Sequence, residues 1–447
     1  MPSQGTIGDR VRGLRLNRRM SQAQLAGPDL SDSYVSLIES GKRTPTPVVA
    51  RLLAERLGCT TEFLLHGIEP RQRIDTELGL RHAELELQHG DPATAADRFT
   101  DIVKAADEEN AMLTAQARFG RARALEAQGR LGQAVEAFER LRREAAAHPE
   151  RLADLPITVA LSRCYQQAGD RLRARDLASV ALAQAERLQI THGEMAVELA
   201  AALIEARGES ETDSPALAYV KRVLDTAGVP EVVDRSAEIK ALWHASAAAA
   251  AGEDSALAVS LADDAIMAGR EKRIALLLAR TAMHWARMGT GPIEKADRLA
   301  GEAVRAFSVF PSTAREYGES LIVHARVKLR AGDFMGAGEL AVKAAGLEHD
   351  GSGTTAAEAH LVLATVAYEQ DGDAAAHLRA AHELLDTLDR PVFGSDRQAA
   401  RCWRELGDLY GRGESKALQT AAYRKALEAA GVRSAMAGVT IDATVSR

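Results

Sequence analysis

The chain has 447 residues, of which 46% are hydrophobic, 4% aromatic and 27% charged. Its alanine-rich apolar fraction lacks alternating β-branched runs, which excludes a β protein and favours an all-α fold with one small domain and a repeat array. The net charge of −7 is uneven, since residues 1–70 hold nine Lys/Arg against seven Asp/Glu and the remainder holds 47 against 56. Positive charge for binding phosphate is therefore concentrated at the N-terminal end.

The sequence contains no motif that predicts catalysis, metal binding or a membrane-spanning segment. Cys59, Cys164 and Cys402 lie far apart without metal-ligand spacing, which predicts reduced thiols in a cytoplasmic protein. The N-terminus has no apolar signal segment, and no run of about eighteen apolar residues could span a bilayer. Phosphate loops, nucleophile elbows, metal signatures and dinucleotide fingerprints are absent from the sequence. We therefore expect no enzyme, no cofactor, no metal site and no membrane partner.

Two short helices are predicted first along the chain. Ile7, Val11 and Leu14 recur at helical spacing and give the first helix one apolar stripe. Ser21 and Gln24 have the spacing of a capping box, which predicts the start of a second helix.

Three further helices follow before residue 70. Ser31 is a candidate N-cap of a third helix that ends at Gly41, a candidate left-handed C-cap. Thr46 and Pro47 form the expected start of a fourth helix, and residues 61–65 form a short fifth one. Two helices joined by a tight turn, the second polar on one face, make a helix-turn-helix.

The stretch from Met20 to Gly67 resembles the Cro/phage-repressor, or XRE, family of helix-turn-helix proteins. The resemblance rests on SQAQLA, on SDSYVSLIESGKRTP and on LGCTTEFLLHG, which stand in the family's order. It implies that this region binds DNA in a transcription regulator and that the third helix is the recognition helix. Compared with the commonest family spacing, one residue is missing between Leu25 and Glu39, and Pro28 lies where the second helix would end. We therefore expect a tighter turn.

The first turns of a recognition helix meet base edges in the major groove. The candidate base contacts are Ser31, Asp32, Ser33, Ser36 and Leu37. Asp32 could accept a hydrogen bond from a cytosine amino group, and Leu37 could touch a thymine methyl group. Alternatively, Asp32 only complements the helix dipole.

Candidate phosphate contacts flank the same helix, where they would position the protein without reading sequence. They are Arg18, Arg19, Gln22, Tyr34, Lys42, Arg43 and Thr44. We assign Arg10, Arg12 and Arg15 to a solvated face, and we expect Glu39 to bond locally inside the motif.

A helical repeat follows a short polar joint. Glycines recur at intervals of 37 to 44 residues, at Gly90, Gly129, Gly169, Gly208, Gly252, Gly289, Gly332, Gly372 and Gly413. This period predicts about nine stacked helical hairpins. Trp403-x₂-Leu406-Gly407-x₂-Tyr410 resembles the first-helix signature of the tetratricopeptide repeat (TPR), although the standard repeat has about 34 residues. We expect a TPR-like α-solenoid, with a HEAT-type solenoid as the alternative.

The first helices of such an array line a concave surface, where we predict an effector groove. Its candidate residues are Gln116, Arg123, Arg163, Gln166 and Arg326. Guanidinium groups suit a carboxylate or phosphate, so a peptide or small acidic effector is expected. The alternative is that these arginines pair with neighbouring acids such as Glu126.

The two-part plan resembles XRE–TPR regulators of actinobacteria and, more distantly, peptide-sensing regulators of Gram-positive bacteria. The latter hold their peptides largely through asparagines, whereas Asn110 is the single asparagine beyond residue 70 of this sequence. An asparagine clamp is therefore missing.

We predict three regions: a DNA-binding domain over 1–69, a TPR-like domain over 70–430 and a tail over 431–447 that is either disordered or packed as a cap. The predicted function is sequence-specific transcription regulation by a homodimer on a palindromic operator in double-stranded DNA, with the TPR-like domain sensing a ligand and mediating dimerisation. The alternative is an interaction scaffold in which the helix-turn-helix docks without recognising an operator.

Overall fold

The computed structural model describes residues 6–66, 70–105, 111–149, 152–207, 214–289, 291–347, 353–388 and 396–431. All regular structure within these ranges is helical, which confirms the all-α expectation. Most of the predicted tail, from residue 432 onward, lies outside the described residues, as does the predicted bend at Gly208. No helix in these ranges is long and apolar enough to cross a membrane.

Five helices form the N-terminal part, namely α1 (Ile7–Asn17), α2 (Gln22–Ala26), α3 (Asp32–Glu39), α4 (Pro47–Arg56) and α5 (Thr61–His66). Their starts confirm the local predictions. The Ser21 hydroxyl accepts from the Gln24 backbone N–H while the Gln24 side chain accepts from the Ser21 N–H, and Thr46 caps α4 with Pro47 in its first turn. Gly41 after α3 has a φ of 70°.

The core of this part is assembled from one apolar face of each helix. Its fully buried members are Val11, Leu25, Val35, Ile38, Leu53, Leu57 and Leu64. Every helix from α1 to α5 contributes at least one of them or lies directly beside one. Because α2 and α3 pack into the same core, their buried faces fix the direction in which their exposed faces point.

The repeat region contains seventeen further helices among the described residues. They are α6 (Pro70–His89), α7 (Pro92–Ala105), α8 (Ala111–Ala127), α9 (Leu131–Ala147), α10 (Asp154–Gln167), α11 (Arg171–Arg187), α12 (Gly193–Glu205), α13 (Pro215–Ala227), α14 (Ser236–Ala251), α15 (Ser255–Met288), α16 (Ile293–Ser308), α17 (Ala314–Arg330), α18 (Phe334–Ala345), α19 (Gly353–Glu369), α20 (Ala375–Asp386), α21 (Arg397–Arg412) and α22 (Lys416–Ala429). A 3₁₀ turn at Pro311–Thr313 precedes α17.

The predicted hairpin bends fall between helices wherever the structure describes them, which confirms the TPR-like reading of the repeats. One departure is α15, a continuous helix of 34 residues where two helices of neighbouring hairpins are expected. Its sequence contains no proline, and its one glycine, Gly269, weakens a helix by only about 1 kcal/mol relative to alanine. The break between two hairpins is therefore lost.

The chain divides into two compact units. Unit 1 comprises Met1–Leu177 and Arg235–Arg270, and unit 2 comprises Ala178–Asp234 and Glu271–Arg447. The interior of each is rich in alanine, which allows helices to approach closely. In unit 2, Trp403, Leu406 and Tyr410 of the TPR signature are buried in one cluster with Leu378 and Leu385.

Unit 1 contains a contact between helices that are far apart in sequence. Leu78 and Leu85 of α6 pack in one cluster with Ile239 of α14 and with alanines of α15. Arg81 of α6 pairs with Asp263 at 2.6 Å across 182 residues of chain. In a simple solenoid each repeat contacts only its neighbours. Helix α6 departs from that rule because it packs against α14 and α15, which belong to distant hairpins.

Phe138 is a direct test of the repeat core in unit 1. Its side chain is fully buried and lies edge-on to Phe119, with ring centroids 5.8 Å apart. We expect Phe138→Ala to lower the local free energy of unfolding by about 3–5 kcal/mol because it leaves a cavity. Amide hydrogen exchange across α8–α10 measures this loss, with Leu172→Ala as control, since Leu172 is 77% exposed. Equal protection in both variants would contradict this packing.

Candidate nucleic-acid interface

Helix α3 separates its residues into an exposed polar face and a buried apolar one. Val35, Ile38 and Glu39 are buried, and the predicted base contacts Ser31, Asp32, Ser33, Ser36 and Leu37 are all exposed. Leu37 is unusual among them, as an apolar side chain that is 39% exposed. The first turns of α3 therefore present three serines, one carboxylate and one leucine to solvent.

Three of these side chains, those of Ser31, Asp32 and Ser33, also form hydrogen bonds at the start of the helix. The Ser31 hydroxyl accepts from the backbone N–H of Tyr34 and from the Ser33 hydroxyl, each at 3.1 Å. Asp32 accepts from the backbone N–H of Ser33 at 3.0 Å. Ser31 thus caps the helix, and Asp32 lies where a carboxylate complements the helix dipole.

Three candidate phosphate contacts, two of them cationic, lie on the segment after α3. Lys42, Arg43 and Thr44 are exposed, and the Arg43 guanidinium lies 4.9 Å from the centroid of the half-buried Tyr34 ring. This cation–π contact orients Arg43 beside the first turns of α3.

The candidate arginines before α2 are also exposed. Arg18 donates to the carbonyl of Gly58 at 3.4 Å, and Arg19 has a φ of 55°. Arg18 is thereby held close to the end of α4, and both side chains remain on the surface.

A buried ion pair joins α1 to α3. Arg15 donates to both oxygens of Glu39, at 2.5 and 2.9 Å, and Gln22 of α2 donates to the same carboxylate at 2.8 Å. The local bond expected for Glu39 is present. The assignment of Arg15 to a solvated face is wrong, because Arg15 lies one turn beyond the buried Val11 and is only 8% exposed. The amide of Gln22, a predicted phosphate contact, is occupied by Glu39.

The other two arginines of α1 differ from each other. Arg10 donates to the carbonyls of Leu64 and Leu65, at 3.1 and 2.8 Å, so it closes the end of α5 and does not belong to a solvated face. Arg12 is exposed, as predicted. The four-residue spacing from Val11 could have identified Arg15 as a buried residue, although not its partner Glu39. Nothing in the sequence near Arg10 indicates burial or its distant partners, the carbonyls of Leu64 and Leu65.

The carboxyl group of Glu39 is kept ionised by its partners. Burial alone would raise its pKa, but the hydrogen bonds from Arg15 and Gln22, with the charge of Arg15, outweigh burial and hold the pKa below its ordinary value. The carboxylate therefore stays charged at neutral pH and holds α1, α2 and α3 together.

A second arginine, absent from the predicted site residues, reaches the turn between α2 and α3. Arg56 of α4 donates to the carbonyls of Leu25, at 3.0 Å, and Ala26, and it pairs with Asp29. The turn itself has Gly27 at φ 53° and ψ −154°, a backbone region that essentially only glycine adopts.

The predicted effector-groove arginines of unit 1 are engaged by acids of the preceding hairpin. Arg123 of α8 donates to both carboxylate oxygens of Glu84, at 2.9 and 3.0 Å. Arg163 of α10 donates to both oxygens of Glu126, at 2.5 and 2.8 Å. The pairing with neighbouring acids considered from the sequence is thus present, and a ligand role stays a prediction.

Unit 2 contains a similar arginine–carboxylate pair, but its acid lies two hairpins later in the chain instead of on the preceding hairpin. Arg326 of α17 donates to both oxygens of Glu405 on α21, at 2.9 and 2.8 Å. The glutamine candidates lie on the first helices of their hairpins, with Gln116 exposed on α8 and Gln166 half-buried on α10. Among the residues that the structure describes, no group of three or more His, Cys, Asp or Glu could hold a metal ion.

The N-terminal geometry defines a DNA-binding class of fold: two helices meet at a tight turn, the second exposes its polar first turns, and exposed cationic side chains lie in the segments before α2 and after α3. Residues 11–64 match the family model HTH_3, described as helix-turn-helix. The N-terminal part of the chain is therefore an XRE-type helix-turn-helix, as its motifs predict.

Two solved structures are similar to the whole chain or to much of it. The apo form of the quorum sensor NprR from Bacillus thuringiensis has 12% identity and a TM-score of 0.49, over 95% of this chain and 99% of that one. Bacillus thuringiensis PlcR in complex with the peptide PapR7 and DNA has 12% identity and a TM-score of 0.34, over 70% of this chain and 98% of that one. No curated protein matches the chain.

Replacing Glu39 tests the buried pair. We expect Glu39→Gln to destabilise the N-terminal helices by about 3–5 kcal/mol at pH 7, because Arg15 stays buried without its counter-ion. Since the folded pKa of Glu39 is lowered, the pair's contribution is complete above the unfolded value of about 4.3 and is lost as the pH falls through the folded value.

The measurement is hydrogen exchange of α1–α4 amides at pH 7 and at acid pH, corrected for intrinsic exchange. The difference in amide protection between the wild type and Glu39→Gln should be smaller at acid pH than at pH 7. Glu55→Gln, an exposed change on α4, is the control and should be close to neutral. A difference independent of pH would show that the Glu39 charge is not responsible.

Proposed function

We propose that this protein is a sequence-specific DNA-binding transcription regulator that reads base edges through α3. One observation carries the proposal: the first turns of α3 are exposed and polar, while the opposite face is held by the buried Arg15–Glu39 pair and the apolar core. Ser33, Ser36 and Leu37 are the proposed base-reading residues, since hydroxyl groups can serve donors or acceptors and an apolar side chain fits a thymine methyl group.

The charge distribution supports the orientation of this domain on DNA. Lys42, Arg43 and Thr44 border one end of the reading surface, and Arg18 and Arg19 are the proposed phosphate contacts before α2. Beyond residue 70 the chain carries 47 basic and 56 acidic residues, so the repeats repel phosphate. The electrostatic attraction to DNA is thereby restricted to the N-terminal region.

The proposed assembly on DNA is a homodimer on a palindromic operator in double-stranded DNA. One helix-turn-helix of this size makes few phosphate contacts, and a second copy doubles both the contacts and the sequence read. Half-sites would then be about 10 bp apart, or a multiple of that, because both recognition helices enter the major groove from one side. The repeats would supply the dimer interface.

The proposed signal is a peptide or small acidic effector bound by the repeats. Arg123, Arg163 and Arg326 each hold both oxygens of one carboxylate, so their guanidinium groups are already oriented for carboxylate recognition. An effector carboxylate would replace the internal one and break a contact between two hairpins. Effector binding would then shift the population of repeat conformations and the spacing of the two DNA-binding domains.

Replacing the base-reading serines tests the recognition surface. With a duplex selected by the wild-type protein from random DNA, we expect Ser33→Ala/Ser36→Ala to bind that duplex about ten-fold more weakly, because contacts to base edges are lost. Affinity for random duplex should be unchanged. Fluorescence anisotropy measures both affinities, with Ser40→Ala, an exposed serine after the end of α3, as the control. Retained discrimination in the double variant would assign recognition elsewhere.

Removing a phosphate contact has a different signature. Lys42→Ala should weaken binding to the selected and random duplexes by a similar factor and reduce the slope of log affinity against log salt by about 1. Arg51→Ala, an exposed arginine on α4, is the matched control. An unchanged salt slope for Lys42→Ala would exclude Lys42 from the interface. A wild-type protein that prefers no duplex would favour the scaffold alternative.

A further inference from the structure

The turn between α2 and α3 is held from outside by Arg56. Within the turn, the backbone N–H of Leu30 donates to the Ala26 carbonyl at 3.2 Å. The guanidinium of Arg56 adds donations to the Leu25 and Ala26 carbonyls and an ion pair with Asp29, across 27 to 31 residues of chain. One side chain thus bonds to the last turn of α2 and to the segment that leads into α3.

The Arg56 guanidinium donates hydrogen bonds to carbonyl groups at the C-terminal end of α2, where a positive charge is favourable. The last carbonyls of a helix lack partners within the helix and carry the negative end of its dipole, so a guanidinium both donates to them and neutralises them. A Cβ built on Gly27 would lie 2.7 Å from Cζ of Arg56. Gly27 is therefore required by its backbone angles, and a side chain at this position would also displace the guanidinium.

The energy of this contact is too small to explain it as a source of stability alone. The Asp29 side chain is 55% exposed and that of Arg56 is 20% exposed, and ion pairs near the surface add little to stability because water screens them. Its geometric effect is larger, because Arg56 is the last residue of α4 and lies between Leu53 and Leu57, which are both fully buried in the core of α1–α5. The turn is consequently placed with reference to that core.

We infer that Arg56, assisted by Asp29, is a positioning residue that sets the angle of α3 against α2 in a turn one residue shorter than is common. The inference rests on the proposed function, since this angle decides which base edges Ser33, Ser36 and Leu37 reach. Arg56 itself bonds backbone and Asp29 in this structure and is not one of the proposed DNA contacts.

The test uses the full chain with Arg56→Lys, which keeps the charge but replaces a planar fork by a single ammonium group that cannot reproduce the fork's contacts. We expect affinity for the wild-type-selected duplex to fall about ten-fold, equivalent to one lost base contact. Affinity for random duplex and its salt slope should stay as in the wild type. Arg51→Lys, on the exposed face of the same helix, is the control and should change neither affinity.

A double-mutant cycle separates positioning from a general loss of folding. Asp29→Asn should reduce discrimination about two- to three-fold, and the double variant Asp29→Asn/Arg56→Lys should be no worse than Arg56→Lys alone, because both act through one contact. Hydrogen exchange of Val35 and Ile38 should match the wild type in all three variants. Loss of that protection would show that Arg56 acts on stability and would overturn the inference.

The two possible failures give different results. If the wild type selects a duplex and Arg56→Lys discriminates as well as the wild type, or if the cycle is additive, the role of Arg56 is overturned and the proposed function stands. If the wild type prefers no duplex over random DNA, the proposed function falls and the inference falls with it.

Discussion

The buried ion pair between Arg15 and Glu39 is the interaction on which the candidate interface depends. Removing two charges from water is costly, and the cost is offset only where geometry and further hydrogen bonds are good. Here the guanidinium holds both carboxylate oxygens and Gln22 donates a further bond, so one acid ties three helices together. Because Glu39 is the last residue of α3, the ion pair fixes the C-terminal end of this helix while its first turns stay exposed.

The predictable part of the N-terminal region is its local chemistry. Capping by Ser21, Ser31 and Thr46 and the left-handed Gly41 depend on residues within three or four positions, so the sequence predicts them. The contacts of Arg15 and Arg56 join residues 24 to 31 positions apart. Such pairs depend on how helices cross, and no local pattern indicates them.

The repeat region shows the same division between local pattern and distant partner. Glycine bends predict the hairpins, because each marks the end of one helix and the start of the next. The fusion within α15 and the packing of α6 against Ile239 depend on tertiary contacts that the period does not contain. Arg123, Arg163 and Arg326 lie on the first helices of their hairpins as expected, and their carboxylate partners lie on other hairpins.

The two ends of the chain are thereby suited to different tasks. The N-terminal helices present a polar surface whose side chains are exposed and whose supporting contacts are buried. The repeat region contains arginine–carboxylate pairs between the first helices of different hairpins, and these arginines are the proposed contacts of an acidic effector. The proposed regulator would use the first as its DNA-reading surface and the second as its effector-sensing region.

The most direct test of this account is capture of fragmented genomic DNA by the full-length protein at near-physiological salt, followed by sequencing. If α3 reads base edges in a homodimer, the captured fragments will share one recurrent sequence with two-fold symmetry and half-sites spaced by about 10 bp or a multiple of it. Captured fragments that share no motif, or no capture above that of a Ser33→Ala/Ser36→Ala variant, would contradict it.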